Sequence, residues 1–190
     1  DLAMTSDGRQ ALISNFGDSK VFFVDLRSGT PVVSGMVQLE FFAEDISIDP
    51  SNTWALVTDG GFSSRIATLH IPTRAWVPAG FDDDDPPNPI SYTIPPVIIE
   101  DEEDPDYPGY GCYANSVDIA RDGRTVIVTD YFSGFIHVLL LNPATGALSY
   151  QQSVKLWKYG TDGSEPLTAL YRPVNSAISP DGRTVLIANA

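Results

Sequence analysis

A single cysteine, Cys112, in a chain of 190 residues leaves no internal disulfide to form, which excludes a disulfide-stapled scaffold. No histidine or basic residue lies near Cys112 in sequence to activate it, so a packing role fits its thiol better than a catalytic one. Basic residues are scarce: 11 Lys and Arg stand against 25 Asp and Glu, for a net charge of −14. Such a surface repels phosphates, which argues against nucleic acid and anionic membranes as partners. No apolar run approaches the ~20 residues of a membrane-spanning helix, so no membrane insertion is expected. There is no signal-peptide pattern and no Gly-x-Ser-x-Gly nucleophile elbow. The two histidines, His70 and His137, have no partner at metal-ligand spacing. Gly109 to Ala114 fits Gly-x-Gly-x-x-Ala on paper. It follows Pro108 and leads into a strand, however, whereas a dinucleotide fingerprint opens a helix. No window carries a capped 3.6-residue period, so almost no helix is expected.

What the chain does have is self-similarity. Ala3 to Asn15, Ser47 to Asp59, Asp118 to Asp130 and Ala177 to Asn189 each read as an apolar run, a polar turn, a second apolar run and a terminal Asn or Asp. The turns are Ser6-Asp7-Gly8-Arg9, Pro50-Ser51-Asn52-Thr53, Arg121-Asp122-Gly123-Arg124 and Pro180-Asp181-Gly182-Arg183. Asp-Gly favours a two-residue hairpin loop with positive φ at both positions, and the flanking Val, Ile, Leu and Thr form strands. Each copy is therefore a hairpin of strands A and B. A strand C follows at Val21–Val24, Ile66–Leu69 and Phe135–Leu141, and a less regular strand D near 31–39, 75–77 and 147–156. A four-stranded antiparallel meander of roughly 40–45 residues has the size of a propeller blade.

The strand-B ends and the Ser179-Pro180-Asp181-Gly182-Arg183-Thr184 turn resemble the YVTN-type β-propeller repeats. The resemblance covers the four hairpins, is closest at 179–184 and weakest at 50–53. It implies an all-β arc of three complete blades and the first hairpin of a fourth, in units 1–42, 43–113, 114–173 and 174–190. The chain starts and stops within strands, so it reads as a fragment of a larger, about seven-bladed ring. The family occurs in surface-layer and secreted proteins, which implies an extracellular, periplasmic or cell-surface place. Its wider superfamily includes lactonase-like and quinoprotein-type enzymes, and the fold does not choose among these roles.

Equivalent turns lie 44, 71 and 59 residues apart, which places insertions near 78–112 and 157–172. Both fall in or after strand D, so both are expected to rise from the face that carries Asn15, Asp59, Asp130 and Asn189. Long loops on one rim of a rigid scaffold are where binding usually resides. From Ala75 to Ala120 there is no Lys or Arg, while 82–106 carries 10 of the 25 acidic residues. Asp82, Asp84, Asp101, Asp104 and Asp106 are candidate ligands for Ca²⁺, a hard cation that takes 6–8 oxygens. The alternative is a solvated acidic loop. In the second insertion Trp157, Tyr159 and Tyr171 are candidates for a protein- or carbohydrate-binding patch, or else pack the loop onto its own blade.

His70 reads as a polar residue starting the C–D turn, beside Asp25 and Asn142. His137 reads as lying near the exposed start of strand C, level with Lys20. The Asn or Asp closing each strand B reads as a cap on the B–C turn. No catalytic residues are assigned. The expectation is a non-catalytic binding scaffold, with self-assembly through exposed blade faces as a further interaction. The alternatives are a propeller hydrolase or oxidoreductase, or a structural subunit of a surface layer or filament.

Overall fold

A computed structural model describes residues 1–61, 63–81, 89–95, 113–131, 134–156 and 172–190. Among these residues there is no helix. The first blade is β1 (Leu2–Met4), β2 (Gln10–Asn15), β3 (Lys20–Asp25) and β4 (Val32–Gln38), antiparallel in chain order. The second is β5 (Ala43–Ile48), β6 (Trp54–Asp59) and β7 (Arg65–His70), with its fourth strand in two pieces, β8 (Ala75–Val77) and β11 (Tyr92–Thr93). Between the pieces lies a small pair, β9 (Gly80–Phe81) with β10 (Pro89–Ile90). The third blade is β12 (Ala114–Ile119), β13 (Thr125–Asp130), β14 (Phe135–Leu141) and β15 (Leu148–Lys155). A last hairpin joins β16 (Pro173–Ile178) to β17 (Val185–Asn189).

The architecture is the all-β arc of propeller blades that the repeats imply. The four turns that connect strands A and B share one type, which is not the expected two-residue turn. Thr5, Asp49, Ala120 and Ser179 each accept the N–H three residues on, from Gly8, Asn52, Gly123 and Gly182, and each donates across the loop five residues on. Within these four turns only Gly8, Asn52, Gly123 and Gly182 have positive φ. This is the longer loop, a type I turn closed by one left-handed residue, rather than the two-residue turn with two positive φ values. The turn aspartate is there as an acceptor: Asp7 takes the Arg9 N–H at 3.1 Å and Asp181 the Arg183 N–H at 3.1 Å. In the second blade Ser51 replaces that aspartate. Asp49, two residues earlier, accepts from Ser51, Thr53 and Trp54 N–H instead.

Blades stack face to face. Leu12, Val21, Phe23 and Val37 of the first meet Ala55, Val57, Ala67 and Leu69 of the second. Leu56 and Ile66, on the other face of the second blade, meet Val117, Val126, Val128 and Leu139 of the third. Covered on both sides, β6 is buried along its whole length, which is why its sequence shows no alternation. Each fully buried Leu or Phe contributes about 2–3 kcal/mol of burial free energy. The far face of the first blade is uncovered: Leu2, Met4 and Met36 are exposed.

In the second blade β8 pairs with the upper half of β7 and β11 with its lower half, at Thr68↔Val77 and Tyr92↔Ile66. The first part of the long insertion therefore interrupts strand D at the outer edge of the sheet. Ile94, just beyond, is fully buried in the second interface.

Candidate functional site

The proposed calcium ligands Asp82, Asp84, Asp101, Asp104 and Asp106, and the aromatic candidates Trp157, Tyr159 and Tyr171, lie outside the described residues, as does Cys112. Among the described residues no three metal-ligating side chains gather. The described residues do define the rim from which the 96–112 and 157–171 segments depart, because those segments end at Tyr113 and Arg172.

On this rim the residue after each strand B meets the residue before the next strand A. Phe16 stacks on Phe42, with centroids 5.0 Å apart and rings 20° from parallel. Both are about half exposed, at 49% and 46%. At the next interface the Tyr113 hydroxyl donates to the Gly60 carbonyl at 3.4 Å. At the third, the Arg172 guanidinium lies 5.3 Å from the Tyr131 ring centroid and donates to its hydroxyl at 3.3 Å. Tyr113 and Tyr131 meet edge to face at 6.0 Å. Gly60 has no room for a side chain: a Cβ there would lie 2.2 Å from the Glu44 carboxylate and 2.5 Å from the Phe16 ring. The Phe16–Phe42 stack, Glu44, Gly60, Tyr113, Tyr131 and Arg172 thus form one continuous strip.

The strand-B ends beneath this strip hold the turns. The Asn15 side chain accepts the Asp18 N–H at 3.3 Å. Asp59, fully buried, accepts from Gly61 N–H at 2.7 Å, Ser63 hydroxyl at 2.6 Å and Arg65 Nε at 2.8 Å, with Arg65 Nη2 at 2.6 Å. Asp130 accepts the Tyr113 N–H at 3.1 Å. Asn15 and Asp59 thus cap their B–C turns, as expected, whereas the Asp130 carboxylate holds the residue before strand A of its own blade. The nearby Tyr113 hydroxyl has its pKa raised by burial, and by the charges of Glu44 and Asp59.

His70 is where the sequence placed it, with Nδ1 2.7 Å from the Thr73 hydroxyl in the C–D turn. His137 is not. It pairs across from Val128, two positions inside a strand whose start at Phe135 is itself buried, and is fully buried. Val128 belongs to the interface with the second blade, and cross-strand partners share a face. His137 Nε2 lies 3.4 Å from Asp130 and Nδ1 lies 2.7 Å from the Ser153 hydroxyl, which is 2.8 Å from Tyr150 OH. This Asp–His–Ser–Tyr chain was missed because its members come from three strands. The signal was a lone histidine at an apolar strand position.

No protein-family model matches the chain, and no curated protein does. Solved structures do. A protein from Lactobacillus plantarum is similar at 16% identity, over 100% of this chain and 47% of its own, with a TM-score of 0.66. Hydrazine synthase from Kuenenia stuttgartiensis matches at 20% identity over 98% and 40%, with a TM-score of 0.64. A candidate 6-phosphogluconolactonase from Bacteroides uniformis matches at 14% over 99% and 46%, with a TM-score of 0.63. The chain spans less than half the length of these structures. The likeness establishes the β-propeller fold.

Proposed function

We propose that this arc belongs to a YVTN-type propeller at the cell surface or outside it, and that it serves as a binding scaffold whose partner is a protein seated on the B–C rim. The observation that carries the reading is the Phe16–Phe42 stack, two large rings held in contact yet half exposed. Exposed aromatic pairs on a rigid rim supply contact area at low entropic cost, and such residues dominate interface energetics. The bases of both long insertions share this rim, which adds area for a partner. The test compares the protein with its Phe16→Ser/Phe42→Ser variant for retention of proteins from the surface and secreted fraction of its source organism. Retention lost in the variant, at unchanged melting temperature, supports the reading. Equal retention by both proteins sinks it.

A hydrolase is the second reading, favoured by the His137–Ser153 contact at 2.7 Å with Asp130 behind it. Its weakness is access, because His137 is fully buried between blades. Ester or lactone hydrolysis abolished by Ser153→Ala would favour it over the scaffold.

A further inference from the structure

The rim opposite the aromatic strip, built from the A–B and C–D turns, carries a groove of about 370 Å³ between the first two blades. Arg9, Arg27 and Arg74 line it together with Asp7, Asp25 and Gln10. Three guanidiniums against two carboxylates give it a net positive lining in a chain of net charge −14.

The next interface is an internal control. There Trp54 takes the position of Gln10, since both pair with the last residue of strand C, His70 and Asp25 respectively. The Trp54 ring leans on His70 at 4.8 Å, its indole N–H donates to the Pro143 carbonyl at 2.9 Å, and its edge presses against Gly146. That cleft is plugged. Between the first two blades the plug is Gln10, whose amide makes no hydrogen bond among the described residues. The left-handed position that closes the C–D turn is Gly29 in the first blade and Gly146 in the third, but Arg74 in the second, at φ 53. A non-glycine residue there costs about 1 kcal/mol. Its side chain reaches back to the first blade, where Nη1 donates to the Ser34 carbonyl.

The groove is also pre-organised. Asn52 ties the two A–B turns together, accepting the Ser6 N–H at 2.8 Å and donating to its hydroxyl at 2.9 Å. Arg27 is gripped by Asp25 through Nε, at 2.9 and 3.0 Å, and through Nη2. Arg9 is held loosely, 3.9 Å from Asp7.

We propose that this groove binds a small hydroxylated carboxylic acid, its carboxylate on Arg9 and Arg74 and its hydroxyls on Gln10 and the aspartates. Guanidinium pairs suit planar oxyanions, carboxylates accept from hydroxyls, and the volume suits a small-molecule ligand. The ligand site lies on the face opposite the proposed partner rim, so the two readings stand or fall separately.

Titration calorimetry of the purified protein tests it, with glucuronate as the probe and acetate, glucose and inorganic phosphate as comparisons. Glucuronate is expected to bind saturably in the millimolar range or tighter, and more tightly than acetate or phosphate, with no heat from glucose. Arg74→Gly restores the residue of the other blades and should fold, yet weaken glucuronate about tenfold or more. Gln10→Trp should plug the groove and abolish binding. Absence of saturable glucuronate binding overturns the proposal, as does binding that survives both substitutions. Phosphate binding as tightly as glucuronate overturns the hydroxy-acid assignment.

Discussion

The Ser14 hydroxyl donates to the Glu44 carbonyl across the first blade interface at 2.7 Å. Glu44 sits in a bulge where β5 loses register against β6, between Ala43 and Ile46. The same bulge recurs at Asn115 and at Val174. Bulges re-aim backbone groups, and the carbonyl of each bulged residue is met from the preceding blade. Thr58 donates to the Asn115 carbonyl at 3.3 Å, and Asn115 Nδ2 to the Val174 carbonyl at 2.6 Å. Thr129, which stands where Ser14 and Thr58 stand, is thereby left with a buried hydroxyl that finds no partner among the described residues. Removing a made bond costs about 1 kcal/mol, whereas replacing an orphaned polar group by an apolar isostere is neutral or stabilising. Ser14→Ala should therefore lower urea-unfolding stability by about 1 kcal/mol, and Thr129→Val should hold or raise it. A larger loss at Thr129 than at Ser14 would contradict the assignment.

Trp54 and Gly146 carry a second prediction. A Cβ at Gly146 would fall 2.6 Å from the Trp54 ring, and the backbone there has φ 75. Gly146→Ala combines overpacking with an unfavourable left-handed residue, for a loss of about 2–4 kcal/mol. Gly29 has the same φ with open space around it, so Gly29→Ala should cost only the conformational part, about 1 kcal/mol. Thermal melts of the two variants measure the difference. Equal losses would show that the Trp54 contact does not matter.

The hairpins were legible because turn residues and β-branched runs recur in register, and the flanking composition left no competing helix. The turn type was not, because Asp-Gly serves equally a turn with two positive φ values and a longer loop in which Asp7 is only an acceptor. The split outer strand of the second blade was hidden because its halves, 75–77 and 92–93, are too short to show a pattern. The rim pairs were hidden for a different reason. Phe16, Tyr131, Phe42, Tyr113 and Arg172 each lie one residue outside a strand, where no periodicity reaches. Reading the repeat alignment one column past each strand end would have found them.

Two inner-strand carboxyls should set a pH dependence. Asp45 has its pKa raised chiefly by burial, and Asp118 is raised by burial too. A carboxyl with a higher pKa folded than unfolded favours the folded state below the ordinary value near 4, and this contribution is lost as pH rises through the raised value. Asp25 acts in the opposite sense. Its bond to Arg27 holds it down to about 2, so its contribution is present above the ordinary value and lost as pH falls toward 2. Asp45 accepts the Val117 N–H at 2.8 Å, a bond that Asn can keep. Asp45→Asn should therefore be more stable than the parent at pH 7 and should flatten the decline in stability above pH 4. Stability curves of parent and variant that run parallel from pH 3 to 7 would contradict the burial argument.

The last prediction separates scaffold from site at Asp59. This carboxylate is fully buried, and its four partners, Gly61, Ser63 and the Arg65 Nε and Nη2 groups, leave it no free valence for a ligand. Removing one partner of a buried pair strands the other, at a cost of about 3–5 kcal/mol, less here because the Arg65 side chain is 37% exposed. Asp59→Ala should therefore destabilise by about 2–4 kcal/mol. Asn15 does the equivalent work in the first blade through its amide oxygen, so Asp59→Asn, which keeps an acceptor for the Gly61 N–H, should lose about half as much. If the strand-B ends are caps, partner retention on the rim should be the same for Asp59→Asn as for the parent, measured well below both melting temperatures. A variant that melts normally but no longer retains the partner would place Asp59 in the binding site instead.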